Sequence, residues 1–181
     1  TCALPILRGA WDKANMERQR AKIVKAINNL GADVVSLEEI ENSAKAASSV
    51  PASFKGERRD YALATLVDAL NEQAGEGTWA YVPSPQTVPD LDVEDVIRTA
   101  FIYKPAKVAT VGATRILTDS DAFNGKNGYE HGRQPDAQAF KAKGAADSDA
   151  FLVVANHFKS KGSASNALNQ DPGDGSGNAD Y

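Results

Sequence analysis

Apolar and polar residues recur along the chain with two different periods, and the first is helical. In residues 16–30 and 63–70 the apolar positions return every three to four residues, which predicts two amphipathic helices. Asn15 is predicted as the N-cap of the first helix and Gly31 as its terminator. The second helix is predicted to end near Gly75.

The second period is that of extended chain. Strands are predicted over residues 33–40, 78–82, 96–103, 107–111, 137–140 and 151–158. Helices that come first and hairpin-linked strands that come later predict an α+β fold with a mixed sheet. Two segments rich in Gly, Asn and Asp, residues 119–132 and 166–181, are predicted as a surface loop and a mobile tail.

Length and composition indicate one globular domain and limit its partners. The 181 residues can bury a real core, and 20 basic against 24 acidic side chains give a formal charge of −4. That charge argues against a broadly basic groove for nucleic acid, so a phosphate site would be local or assisted by a metal. No apolar stretch is long enough to span a membrane, and no signal peptide is visible. Cys2 is the only cysteine, which excludes an internal disulfide.

Residues 32–42 combine the pattern of a buried strand with an acidic end. The apolar positions are Val34, Val35, Leu37 and Ile40, and the carboxylates are Glu38, Glu39 and Glu41. Strict alternation places Glu39 on the face of Leu37 and places Ile40 on the opposite face. Because clustered carboxylates repel one another, a divalent cation is their simplest partner. A solvated acidic strand end is the other interpretation.

A histidine and a basic turn follow the last predicted strand. His157 is predicted on the face of Val153 and Ala155, and Asn156, Lys159 and Lys161 lie beside it in the chain. An imidazole, two ammonium groups and neighbouring hydroxyls suit a phosphoryl oxygen. The alternative is a strand histidine bonded to an ordinary neighbour, followed by a solvated basic turn.

Two further side chains are predicted near this histidine. Arg133 opens the strand that precedes it, and a guanidinium suits bidentate phosphate binding. Asp95 comes just before a predicted strand and is a candidate to orient the imidazole of His157. A lone exposed arginine and an ordinary strand start are the alternatives.

Four runs, in this order, resemble the endonuclease/exonuclease/phosphatase superfamily, the group of deoxyribonuclease I and exonuclease III, and in particular its bacterial extracellular nuclease branch. They are ERQRAKI (17–23), ADVVSLEEIEN (32–42), IRTAFIYKP (97–105) and NHFKSKGS (156–163). The resemblance implies an α/β/β/α sandwich of two packed sheets. It also implies metal-dependent phosphodiester hydrolysis of DNA or RNA with Mg²⁺, Mn²⁺ or Ca²⁺, and a secreted protein.

The resemblance assigns site residues by position. Glu39 resembles the family's metal-binding glutamate, His157 its phosphate-contacting histidine and Arg133 a phosphate-contacting arginine. The family's first strand, with its Asn ligand, its Gly-Asp-x-Asn motif and its final Asp-His pair do not match any run here. The resemblance therefore predicts a single partial domain over residues 1–181, with weak or no activity alone. A superfamily phosphatase or phospholipase, and a non-catalytic phosphate-binding module, remain alternative functions.

Overall fold

A computed structural model describes residues 12–45, 50–92, 94–118 and 133–158. Within them lie two α-helices and six strands, with short 3-10 turns at Arg58–Asp60 and Asp147–Asp149. In chain order the elements are α1 (Lys13–Asn29), β1 (Val34–Glu41), α2 (Tyr61–Ala74), β2 (Ala80–Tyr81), β3 (Ile97–Tyr103), β4 (Val108–Ile116), β5 (Asp136–Ala142) and β6 (Phe151–Ala155). The segments 119–132 and 166–181, predicted as loop and tail, lie outside the described residues.

The strands form two antiparallel sheets, with orders β1-β3-β2 and β4-β5-β6. This confirms the α+β class, whereas the prediction of a mixed sheet was wrong. Each central strand, β3 and β5, runs opposite to both of its neighbours, so every strand pair among the described residues is antiparallel. The turn at Lys104, which was predicted to join two hairpin strands, instead carries the chain from one sheet to the other.

The described elements stack in three layers. The two helices cover one face of the first sheet, where apolar side chains are buried, among them Val24, Ile40, Leu63, Leu66, Leu70, Trp79 and Ile102. The opposite face of that sheet packs on the second sheet, with Phe101 and Phe140 edge to face at a centroid distance of 5.9 Å. The layers are therefore helix, sheet and sheet, and the part of the chain that the structure describes holds no further helical layer.

Local capping sets the limits of the helices. The carboxylate of Asp12, whose backbone is extended, accepts a hydrogen bond from the Asn15 amide at 2.7 Å. Asn15 was predicted as the N-cap, and the prediction was wrong because Asp12 caps the helix three residues earlier. Gly31 (φ +75°) comes after the Leu30 C-cap of α1, and Gly75 (φ +107°) is the C-cap of α2, so both glycines lie at helix ends as predicted, in a backbone region that favours glycine.

None of the helices among the described residues is both long and apolar enough to cross a membrane.

Candidate active site

Strand β1 contains a β-bulge at its acidic end. Its pairing with β3 is regular up to Leu37 and resumes at Ile40, so that Glu38 and Glu39 together oppose a single residue of β3. Glu39 has φ +59° and is the one non-glycine residue with positive φ among the residues described. Bulges and left-handed non-glycine residues are strained features that concentrate at functional sites.

The bulge corrects the predicted faces of this strand. Ile40 is buried and packs beneath the helices in the same cluster as Val35 and Leu37. Strict alternation had placed Ile40 on the other face, and it was wrong because the extra residue shifts the phase of the pleat by one. Glu39 does not follow the buried row inward: its side chain is 71% exposed.

Glu39 and His157 meet where the two sheets come together. Strand β6 contacts both β1 and β3, and the carboxylate Oε1 of Glu39 lies 3.7 Å from the imidazole Nε2 of His157. The predicted strand reached residue 158, whereas β6 ends at Ala155, so His157 lies just past the strand. Its side chain is only 10% exposed. An accessible acid thus faces an imidazole held in the protein surface.

The other nitrogen of this imidazole has no orienting partner in the described part of the chain. Nδ1 of His157 is buried and forms no hydrogen bond there. Asp95, the candidate for that role, is engaged elsewhere: one carboxylate oxygen accepts from the Val96 amide at 2.6 Å, and the other lies 2.8 Å from a terminal nitrogen of Arg133. The predicted contact between Asp95 and the imidazole is therefore not formed in this structure.

Arg133 lies at the same edge as His157. It precedes β5 by three residues, and Asp136, the first residue of β5, pairs with Ala155, the last residue of β6. Arg133 and His157, the two predicted phosphate-contacting residues, therefore lie at the same end of the second sheet. The side-chain amide of Asn156 donates to the Val154 carbonyl at 3.4 Å. Lys159 and Lys161, also predicted to contact phosphate, lie outside the described residues.

A buried polar network lies beneath this edge, and the sequence-based prediction did not include it. Its members are Asn42, Arg59, Asp60, Ser84, Glu94, Arg98 and Asp136, most of them buried. Arg59 pairs with Glu94, and Arg98 with Asp60 at 2.6 Å. One signal was present in the sequence, since an arginine within an otherwise apolar strand requires a buried counter-charge.

The network joins the segments that carry the site. The Asn42 amide side chain, three residues after Glu39, donates to Glu94 at 3.0 Å, and Glu94 directly precedes Asp95. Arg98 follows in β3 and is held at Asp60, the residue before α2. The end of β1 and the start of β3 are therefore tied together below the surface.

Charge in this network is unbalanced. Two arginines, Arg59 and Arg98, accompany three carboxylates, those of Asp60, Glu94 and Asp136. Burial raises the pKa of Asp136 above its usual range, although the nearby arginines act in the opposite direction. Burial likewise lowers the pKa of Arg98. The carboxyl group of Asp136 is therefore less stable as an anion than an aspartate in water.

The described residues offer few ligands to a divalent cation. No group of three or more His, Cys, Asp or Glu side chains within the described ranges is arranged to hold a metal. At the bulge Glu38 and Glu39 both offer exposed carboxylates, and Mg²⁺ keeps several waters and binds through one or two carboxylates plus substrate phosphate. The described residues therefore form no closed protein cage for a metal, and the bulge offers only separate exposed carboxylates to a hydrated ion.

A groove away from these residues lies beside strand β4. It has a volume of about 720 Å³ between residues 82–89 and strand β4, and none of the predicted site residues lines it. Size alone does not define a site, and the chemistry of the donors places the candidate site at the strand ends.

Comparison with protein-family models gave no match for this chain, and a comparison with curated proteins gave none either.

Proposed function

We propose that this chain forms the metal- and phosphate-binding edge of a divalent-metal-dependent phosphodiesterase that acts on nucleic acid. The single observation that carries the proposal is the approach of Glu39 Oε1 to within 3.7 Å of His157 Nε2 at the junction of the sheets. Residues distant in sequence, each assigned by resemblance, lie together. A merely solvated acidic strand end would not require a buried histidine opposite it.

The proposed fold is the α/β/β/α sandwich of the deoxyribonuclease I type. The helix, sheet and sheet layers and the antiparallel pairing support it. The shared phosphate chemistry of that superfamily also includes phosphatases and phospholipases, so the fold does not choose the substrate.

Each residue has a defined task in the proposed reaction. Glu39 would hold the cation, which when bound polarises the phosphate and stabilises the charge that develops as water attacks in line. His157 Nε2 faces the same space, and with a proton on this nitrogen it would donate a hydrogen bond to a phosphoryl oxygen. Arg133 would bind a second phosphoryl oxygen through its guanidinium. Asn156, Lys159 and Lys161 are assigned to the phosphate by resemblance alone.

A Mn²⁺ titration of the 181-residue chain tests the metal assignment. The enhancement of the water-proton relaxation rate by bound Mn²⁺ should report one weak site in the unchanged chain and in Glu38→Gln. This site should be lost in Glu39→Gln. Glu38 is the matched control because it is the neighbouring exposed acid of the same bulge. Equal binding by the two variants would contradict the proposal.

Substrate assays test the reaction class. Plasmid DNA, RNA, p-nitrophenyl phosphate and a phosphoinositide are incubated with the chain and Mg²⁺ or Mn²⁺, with EDTA as the blank. Metal-dependent cleavage of DNA or RNA, weak in this chain and abolished by Glu39→Gln, is the expected result. Cleavage of the monoester or the lipid alone would assign the site to a different branch of the chemistry.

A further inference from the structure

The ion pair between Asp95 and Arg133 differs from the others at this edge. Arg59–Glu94 and Arg98–Asp60 are almost fully buried, whereas the Arg133 and Asp95 side chains are 31% and 40% exposed. Both residues lie at strand starts, Asp95 before β3 and Arg133 before β5. The pair therefore bridges the two sheets at the surface, where an incoming anion can reach it.

The carboxylate of Asp95 is itself fixed. Its Oδ1 atom accepts the Val96 amide at 2.6 Å, and its Oδ2 atom lies 2.8 Å from the NH2 nitrogen of Arg133. A carboxylate that is bonded to its own backbone holds one orientation and can impose it on its partner. An arginine side chain loses up to about 2 kcal/mol of rotamer entropy when it is ordered, and a fixed partner removes much of that loss in advance.

Only part of the guanidinium is used by this contact. Arg133 offers five N–H donors, and Asp95 engages the NH2 end. Nε is buried and has no hydrogen-bond partner in the described ranges, so the ordering comes from Asp95. The Arg133 side chain as a whole is 31% exposed, and its terminal nitrogens form no other hydrogen bond with the described residues.

We propose that Asp95 is a positioning residue for Arg133 and fixes the guanidinium so that its free terminal donors bind an anion at the sheet edge. The identity of that anion as a phosphoryl group rests on the proposed function. Asp95 does not touch the ligand in this arrangement. The negative charge of Asp95 opposes anion binding, and the gain from ordering the guanidinium of Arg133 outweighs this repulsion.

A double-mutant cycle on inorganic phosphate tests this role. Phosphate dissociation constants are measured by NMR titration, without metal, for the unchanged chain, Asp95→Asn, Arg133→Gln and the double variant. Exposed ion pairs are worth up to about 1 kcal/mol, so Asp95→Asn should weaken binding roughly three- to fivefold. Loss of charged hydrogen bonds in Arg133→Gln should weaken it by about tenfold or more. The double variant should match Arg133→Gln, because Asp95 then has no guanidinium to position.

Glu72→Gln is the matched control, since Glu72 forms an exposed 2.8 Å pair with Arg20 on the helical layer. It should leave phosphate binding unchanged. Unchanged or tighter phosphate binding in Asp95→Asn, or additive effects in the double variant, would overturn the role of Asp95, as would absence of phosphate binding in the unchanged chain. If the cycle holds but Mn²⁺ binds equally to Glu39→Gln and Glu38→Gln, the positioning role stands and the proposed function fails. If cleavage occurs and Asp95→Asn leaves KM unchanged, the proposed function stands and the positioning role fails.

Discussion

Glu39 and His157 approach within 3.7 Å although one lies in the bulge of β1 and the other lies just past β6. The side chain of Glu39 is 71% exposed, whereas that of His157 is only 10% exposed. The carboxylate can thus exchange water for a ligand, while the imidazole is held by its surroundings. This asymmetry is what a site needs when one group binds a hydrated ion and the other must keep its direction.

Glu39→Asn should make the protein more stable and less active. Asparagine tolerates a left-handed backbone, which costs most other residues roughly 1–2 kcal/mol, so we expect a gain of about 0.5–1 kcal/mol. That gain corresponds to a melting temperature higher by about 1–4 °C. Metal-dependent cleavage should be lost because a neutral amide binds a cation weakly. Thermal unfolding and plasmid cleavage measure the two effects, and a lower melting temperature would contradict the strain.

His157→Gln should separate chemistry from metal binding. A positioned acid or base contributes about 10²- to 10⁴-fold to rate, and we expect a loss of kcat in that range. Mn²⁺ binding should persist, since Glu39 is unchanged. Stability should change little, because Nδ1 makes no hydrogen bond in the described chain and so none is broken. Equal loss of metal binding and rate would show instead that the imidazole is a metal ligand.

Glu94→Ala should destabilise the fold strongly. It removes the carboxylate paired with Arg59 and the acceptor of the Asn42 amide, and it leaves a buried guanidinium uncompensated. Breaking a buried pair in this way costs about 3–5 kcal/mol. Urea unfolding should show this loss, whereas Glu72→Ala on the exposed pair should cost less than about 1 kcal/mol. Similar small losses in both variants would contradict the importance of the network.

The stability of Asp136→Asn relative to the parent protein should increase as the pH rises. Burial raises the pKa of Asp136 in the folded state, so the folded protein holds this proton more tightly than the unfolded chain does. The resulting stability is present at low pH and is lost as the pH rises through the folded-state pKa. Asparagine is neutral throughout. The free energy of unfolding of the variant minus that of the parent should therefore increase as the pH rises above about 4, the ordinary pKa of an aspartate.

Asp147→Asn supplies the comparison for that experiment, because Asp147 is 75% exposed and pairs with Lys141 at the surface. Its difference from the parent should vary little over the same pH range. A difference for Asp136→Asn that falls as the pH rises would show that the attraction of Arg98 and Arg59 outweighs burial.

Periodicity predicted the elements whose environment is simple. Helix α2 has one apolar face and ends at a glycine, and β3 is apolar except at Arg98 and Thr99, so both were found within a residue or two of their limits. The start of α1 was missed because the capping side chain, Asp12, lies in a stretch without a period. Residues 78–82 were predicted as a strand, and only Ala80–Tyr81 pairs with β3.

The site was predicted only as a set of residues and not as an arrangement. Resemblance pointed to Glu39, His157 and Arg133, which do lie at one edge of the sheets. Alternation could not anticipate the bulge, because nothing in the residue types between Leu37 and Ile40 demands an extra residue. The partner of Asp95 depends on which strands adjoin in space, and residue spacing does not contain that information.

The bulge in β1 has a consequence for how packing and chemistry share one strand. A ladder with a single residue between Leu37 and Ile40 would seat Ile40 beneath the helices just as well, so the core does not require the additional residue. The extra residue places the carboxylate of Glu39 outside the regular alternation of the strand. Glu39 can therefore face the imidazole of His157 without disturbing the apolar residues on either side of the bulge. The strand is one residue longer than its packing needs, and the surplus residue is available for the chemistry.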